Sequence, residues 1–486
     1  MSMRGNRADL GLLATLAALS ALIYALAFSL PYNLVAQQSP PYHPLSDLTG
    51  GSRGALAWLV AAFLALGLLY WLGWRLARRT HGPAAWAIVA GGAVTFAGIL
   101  LLMYPIGAAD IFANIMYGRI VSVYGGNPFF DAGTHFAGDR FFPYMAWSGD
   151  PTPYGPLCVL LFVGAGQLAG GGVVANVLAL KLLNALFLAA SIAVVAATLR
   201  DAAPGWALPG ALALAWNPIV LYETIGNGHN DIIMAFWVLA AVGCMARRRY
   251  TWAVLALIAG ALIKIVPILL LPAAGLIALR QLRTGRAQLR FALGAGASAL
   301  ALAGLVYLPF WRGPATLTFL QRRGLFTTSL PALLNIWLAS RWDADRAATI
   351  AGYLAWAAAA LFALWQAYRT RWDPSWQSFP RAAFNIFLFY LLFTCAWFKE
   401  WYTIWPLALA AVLPSRQALA LAILFNYTGM AQPLLVWPLW IDLGEPNPMI
   451  PELRLTLTAM ALPWAYLALQ GLRRWLRARQ GAATDS

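Results

Sequence analysis

The chain has 486 residues, of which 61% are hydrophobic and 10% charged, and its net charge is +16. A soluble domain averages roughly 45–50% apolar and about 25% charged residues, so a soluble protein is excluded. Apolar runs of about 15 to 25 residues mark a polytopic membrane protein with at most about 15 spans, which leaves no room for a large soluble domain.

Arginine sets the charge, because Lys181, Lys264 and Lys399 are the only lysines. Arginine clusters at 75–79, 247–249, 280–290 and 473–479 close apolar runs, the pattern produced when positive loops stay in the cytoplasm. None is interleaved with stacking aromatics in a polar domain, so nucleic acid is not an expected partner. Cys158, Cys244 and Cys395 lie in or beside apolar runs and read as small buried hydrophobes.

In chain order, Arg4 and Arg7 precede a first apolar run at 10–30 that is long enough to span and carries no small-residue cleavage site. With the amino end inside, a loop at 40–53 lies outside, 55–76 returns to the arginines and 84–104 exits. The longest polar stretch, 105–156, is therefore an outer loop. The segment 155–199 reads as a short dipping helix followed by one span. The segment 207–222 exits and 231–245 returns. Because 251–279 joins two arginine clusters, it must be a hairpin of two short helices with Lys264 near its tip. Next come a span at 291–310, a second outer loop at 311–346, a return at 347–368, a pair at 384–398 and 401–413 meeting at an outer turn, and last spans at 418–430 and 455–472. The outer loop between those last two contains Asp442 and Glu445. The sum is an all-α bundle of about 14 helices with both termini cytoplasmic and no visible internal repeat.

Four groups of residues offer chemistry. On a helix, Asp110, Asn114 and Tyr117 fall at i, i+4 and i+7 and share a face, while Ile111, Ile115 and Ile120 point elsewhere toward lipid or protein. Such a helix is expected to lie along the interface. Partial desolvation of Asp110 would raise its pKa and make it a proton acceptor near neutral pH, whereas the plainer reading is a helix cap. Asp131, Asp139 and Asp150 sit among Gly and Pro, where turn formation explains them.

The second group is Glu223, His229, Asn230 and Asp231, near the outer ends of two apolar helices. Ionisable groups at membrane depth mark sites by default, although Asn230 or Asp231 could simply cap the next helix. A His-x-Asp pair supplies two metal ligands, too few by themselves for a divalent cation site. The third is Lys264, followed by Pro267 between half-helices, an ammonium suited to a phosphate unless it snorkels to the surface. The fourth is Lys399, Glu400, Trp401 and Tyr402 at an outer turn, which an interfacial aromatic belt would also explain. The Arg322 and Arg323 pair is a further phosphate candidate or a solvated face.

A lone acid in the first large outer loop is followed by GRxxxxxGGNPF from Gly118 to Phe129, by YGP at Tyr154, by NP and GHND between Asn217 and Asp231, by Lys264 with Pro267, and by WY at Trp401. Together these resemble the GT-C superfamily of integral membrane glycosyltransferases, most of all the bacterial polyprenol-phosphomannose-dependent α-1,6-mannosyltransferases, over about 84–406. The resemblance implies a GT-C-like bundle with a two-helix extension at 1–83, a catalytic module at 84–310 built around outer loop 105–156, further spans at 311–472 and a tail at 473–486. It implies Asp110 as the catalytic residue, with Arg119, Asn127 and Tyr154 joining the substrate-binding set. It also implies inverting transfer of a sugar, expected to be mannose, from a polyprenyl-phosphate donor to a glycan or glycolipid acceptor at the outer face of a bacterial plasma membrane. A polyprenyl phosphate is a good leaving group once paired with cations, so the chemistry does not call for a metal. The rival is a transporter or flippase of lipid-linked sugars, whose folds commonly carry internal repeats.

Overall fold

The computed structural model describes residues 3–321, 325–436, 445 and 447–484. Arg322, Arg323 and Asp442 lie outside the described residues. The described chain is 77% helix with no strands. Among the described residues, eight helices are long and apolar enough to cross a bilayer: Asn6–Ser29, Arg53–Ala77, Pro83–Leu101, Val173–Ala202, Gly285–Phe310, Ala344–Trp372, Arg416–Leu435 and Met449–Arg477. Shorter apolar helices include Pro156–Ala169, Asp231–Ala246, Tyr250–Ala261 and Val266–Gln281. A short helix therefore does precede the 30-residue Val173–Ala202 span, and the 251–279 segment is two short helices with Lys264 in the break between them.

Helix starts follow local capping chemistry. Ser52, Thr284, Asp343 and Ser415 each accept a hydrogen bond from the backbone N–H three residues on, which satisfies one of the donors a helix start leaves open. The NP pair breaks a helix in the bundle's interior. Pro218 cannot continue the preceding Ala207–Ala215 helix, and Asn217 is held extended with its side chain accepting from Ile219 and Val220 N–H at 3.0 Å each. A wide π turn at Tyr222–Gly226 follows, and then the GHND sequence.

Two glycines let backbones meet at the site. Gly228 has φ +80, and a Cβ there would strike the Ile111 side chain, so the turn carrying His229 and Asp231 seats directly on the Asp110–Ser122 helix. A Cβ at Gly155 would strike the Leu262 carbonyl. Gly155 N–H donates to the Ile263 carbonyl at 3.0 Å, fixing the loop's end against the break that carries Lys264.

The Asp110–Ser122 helix is enclosed by protein, and Ile111, Ile115 and Ile120 are all buried. Of the two surroundings open to its apolar positions, lipid or protein, they meet protein. Its apolar positions pack inward because the rest of the 105–156 loop folds over it. Phe112 stacks on Tyr144 with centroids 4.8 Å apart, and the Tyr144 hydroxyl donates to the Gln38 carbonyl at 2.5 Å.

Candidate active site

The polar segments converge on a cavity of about 1370 Å³. Asp110, Asn114 and Tyr117 line it along one face of their helix, as their spacing predicts, together with Tyr154, Glu223, Lys264, Lys399, Glu400, Trp401 and Tyr402. Asp110 is not a helix cap: the cap position is Ala109, and the Asp110 carboxylate is 22% exposed toward the cavity.

Behind Asp110 stands His229. Its Nε2 is 3.9 Å from Asp110 Oδ2, an ion-pair distance too long for a hydrogen bond, and its Nδ1 is 2.9 Å from Glu223 Oε2. The imidazole lies flat on Trp401, with centroids 3.7 Å apart. Asn227 ties the unit to the entering loop, since its Nδ2 donates to Glu223 Oε2 at 3.0 Å and its Oδ1 accepts from Gly107 N–H at 2.9 Å. Burial opposes a charge on His229, but the neighbouring Asp110 and Glu223 outweigh it and raise its pKa to about 10. The ring is therefore an imidazolium at neutral pH.

This reverses the titration expected for Asp110. Burial does push its pKa up, but His229, and then Lys399 and Lys264, pull it below the usual carboxylate value. Partial desolvation was a sound inference from local sequence, and the cations that overcome it arrive from distant segments. Glu400 goes the other way. Burial first, and then the neighbouring Glu223 charge, raise its pKa to about 7.

A second buried unit holds Lys264. Its ammonium donates to Asp231 Oδ1 at 2.7 Å, and the Trp405 indole donates to the same oxygen at 2.6 Å. The ammonium also lies 4.8 Å from the Tyr402 ring centroid and 5.5 Å from that of Tyr154, so it is braced in place and does not snorkel. Asn230 stands at the N-cap position of the Asp231–Ala246 helix, but its side chain makes no cap bond, its amide reaching Cys158 Sγ at 3.4 Å, and the Asp231 carboxylate is committed to Lys264. Lys399 rests against the Trp397 and Trp401 rings at 4.9 and 5.9 Å.

Not every candidate reaches the cavity. Arg119 makes a bidentate pair with Asp139, at 2.7 Å for the closest contact, and Asp139 also accepts from the Tyr124 hydroxyl at 2.8 Å and the Phe141 N–H at 2.8 Å. Asp139, expected to make only a turn, is thus half of a clamp that closes the loop over the Asp110 helix. Asn127 is likewise turned into the fold, donating to the Phe310 carbonyl at 2.8 Å. Among the buried polar atoms without a hydrogen-bond partner are Asn114 Oδ1 on the cavity wall and, on the turn behind it, His229 Nε2, Asn230 Oδ1 and Asp231 Oδ2. Such atoms are costly unless a site needs them.

The profile of the α-(1→6)-mannopyranosyltransferase family, N-terminal domain, matches residues 12–280. The chain belongs to this family. No curated protein matches it. The matched stretch of this mannosyltransferase contains Asp110, Glu223, His229, Asp231 and Lys264 and takes in the first two spans. The turn at 399–405 lies beyond it and completes the same cavity.

Sequence reasoning missed several residues that line or brace the candidate site. Asn184 and Lys181 stand in the apolar Val173–Ala202 span, and polar groups at that depth are themselves a signal. The Asn184 amide donates to the Thr224 and His229 carbonyls at 3.3 and 3.2 Å, and the fully buried Lys181 ammonium donates to the Leu100 and Met103 carbonyls where the chain enters the Asp110 loop. Arg53, Ser46 and Tyr42 line the cavity from the 40–53 loop, and Trp405 reaches Asp231. Nothing in their local sequence marked them. Among the described residues, no three His, Cys, Asp or Glu side chains gather into a metal-binding group.

Proposed function

We propose that this mannosyltransferase moves mannose from a polyprenyl-phosphate donor to a hydroxyl of a glycan or glycolipid acceptor, with inversion and with Asp110 as the base. The observation that carries the reading is the ionised Asp110 carboxylate, open to a cavity that also presents the Lys264 and Lys399 ammonium groups. From these groups the cavity continues along one face of the Ala344–Trp372 span, past Thr349, Gly352 and Trp356. That arm suits the donor's isoprenoid tail, with the phosphate at the lysines.

In the reaction, an acceptor oxygen forms a bond to the anomeric carbon from the face opposite the phosphate. Its proton passes to Asp110, and the bond from the anomeric carbon to the phosphate oxygen breaks with its electron pair leaving on polyprenyl phosphate. A carboxylate of lowered pKa is a weak base toward a resting alcohol. His229 lowers it most, and Lys399 and Lys264 add to the effect; the donor phosphate would neutralise the lysines' share, so donor binding itself raises the basicity of Asp110. The His229 imidazolium, braced by Glu223, orients the carboxylate and acts as a positioning residue. No step calls for a divalent metal, because the leaving phosphate is paired with ammonium groups.

The arginine clusters favour cytoplasmic loops on the opposite side, which supports a site open to the outside of a bacterial plasma membrane with both termini inside. A lipid-linked sugar flippase would also use intramembrane charges, and the mannosyltransferase family match favours the enzyme. Purified protein in liposomes, given a panel of polyprenyl-phosphate sugars, is expected to release polyprenyl phosphate and form a mannosylated product. Lipid translocation without product would favour the flippase.

A further inference from the structure

Two indoles on the cavity wall, Trp147 and the Trp397 that supports Lys399, touch none of the reacting groups. Trp147 belongs to the irregular end of the 105–156 loop, and Trp397 to the extended stretch that pairs with Thr327 just before Lys399. Both line the same cavity as Asp110. Their ring centroids are 6.1 Å apart with planes at 78°, and Trp147 keeps 42% of its surface exposed.

A tryptophan that serves only as a membrane-interface anchor sits at the end of a span with its ring among lipid headgroups. These two sit on non-helical segments from distant parts of the chain and pack edge to face against each other, leaving the open side of Trp147 turned to the cavity. A pyranose has a rim of hydroxyls and a flat face of C–H groups, and an open indole beside hydrogen-bonding groups complements both. The cavity also exceeds the ~300–1,000 Å³ usual for a single small ligand, so it has room for two substrates. The donor can be gripped by its charge and its tail. An uncharged sugar ring of the acceptor offers neither handle and depends on stacking.

We propose that Trp147 and Trp397 form an acceptor subsite that stacks a pyranose ring of the glycan, next to the sugar that receives the new mannose. This rests on the mannosyltransferase reading. The subsite sets a preference for acceptors that already carry several sugars, and it contributes to acceptor binding without touching the reacting atoms.

The test uses the full chain in detergent or nanodiscs with two measurements, equilibrium binding of α-1,6-linked mannotriose and initial transfer rates onto alkyl mono- and trimannosides. Trp147→Leu, which keeps apolar bulk without a flat face, and Trp397→Leu are each expected to weaken mannotriose binding by about tenfold, the scale of one packed aromatic contact, and Trp147→Leu to raise the trimannoside KM as much. For Trp147→Leu the monomannoside KM and the donor KM should change less than about twofold, and Trp147→Phe should recover most of the loss; Trp397 also supports Lys399, so its variant is read by mannotriose binding alone. The subsite is overturned if Trp147→Leu binds mannotriose like wild type, if both acceptors are affected equally, or if the donor KM moves instead. Absence of mannose transfer by the wild type onto either acceptor would contradict the function, and intact mannotriose binding in the same preparation would leave the subsite standing.

Discussion

The Lys264 ammonium and the Asp231 carboxylate form an ion pair of 2.7 Å, with side-chain exposures of 12% and 1%. A phosphate reaching Lys264 therefore meets a cation already partnered through Asp231 Oδ1, while Asp231 Oδ2 has no hydrogen-bond partner. The pair fixes where the ammonium stands, and the phosphate uses the part of it that faces the cavity.

Removing one member of a buried pair strands the other, at a cost of roughly 3–5 kcal/mol. Lys264→Met should accordingly lower thermal stability as well as transfer. The double variant Lys264→Met with Asp231→Asn should regain most of the stability without regaining transfer, its kcat/KM staying about 10-fold to 150-fold down, the scale of a lost charge-assisted contact. Thermal unfolding and transfer rates measured on the same preparations check this. Recovery of transfer in the double variant would show that Lys264 only neutralises Asp231.

Titration offers a second check. A carboxylate of depressed pKa stays ionised until the pH falls below the ordinary carboxylate range. The acid limb of kcat/KM, which reports the free enzyme, should therefore lie at lower pH than that of kcat, where donor phosphate has neutralised the lysines. Lys399→Met should move the kcat/KM limb upward. His229, held near pKa 10, keeps its charge through neutral pH and loses it only above that value. Activity should consequently fall as pH rises through about 10, and His229→Gln should cost a 10-fold or greater share of kcat.

Side assignment can be tested with single cysteines at exposed positions. A cysteine at Gly149 should react with an impermeant thiol reagent from outside intact cells, and one at Arg248 or Arg286 should not. Background from the native thiols is small, because Cys158 and Cys395 are buried and Cys244 is half-buried. Labelling at 286 from outside would place the Lys264 break on the wrong side for an external donor.

Much of this architecture was readable because its causes are local. Apolar runs set the spans, and the arginine clusters demanded a break near Lys264. The shared face of Asp110, Asn114 and Tyr117 followed from helical periodicity. What escaped depends on segments that meet only in the folded bundle. Arg119 read as a substrate ligand because its partner Asp139 becomes a neighbour only once the loop closes. The direction of the Asp110 titration failed for a related reason, since local sequence contains the burial but not the approach of His229, Lys399 and Lys264. The Trp401 platform under His229 joins two elements with no mark of each other in sequence.

The most direct measurement is mannose transfer from a polyprenyl-phosphate mannose donor by Asp110→Asn in reconstituted membranes, with donor binding followed in parallel. The substitution keeps the shape of the side chain and removes the proton acceptor. Turnover should fall about 100-fold or more while donor binding is largely retained. Turnover above about a tenth of wild type, with normal expression, would contradict the assignment of Asp110 as the base.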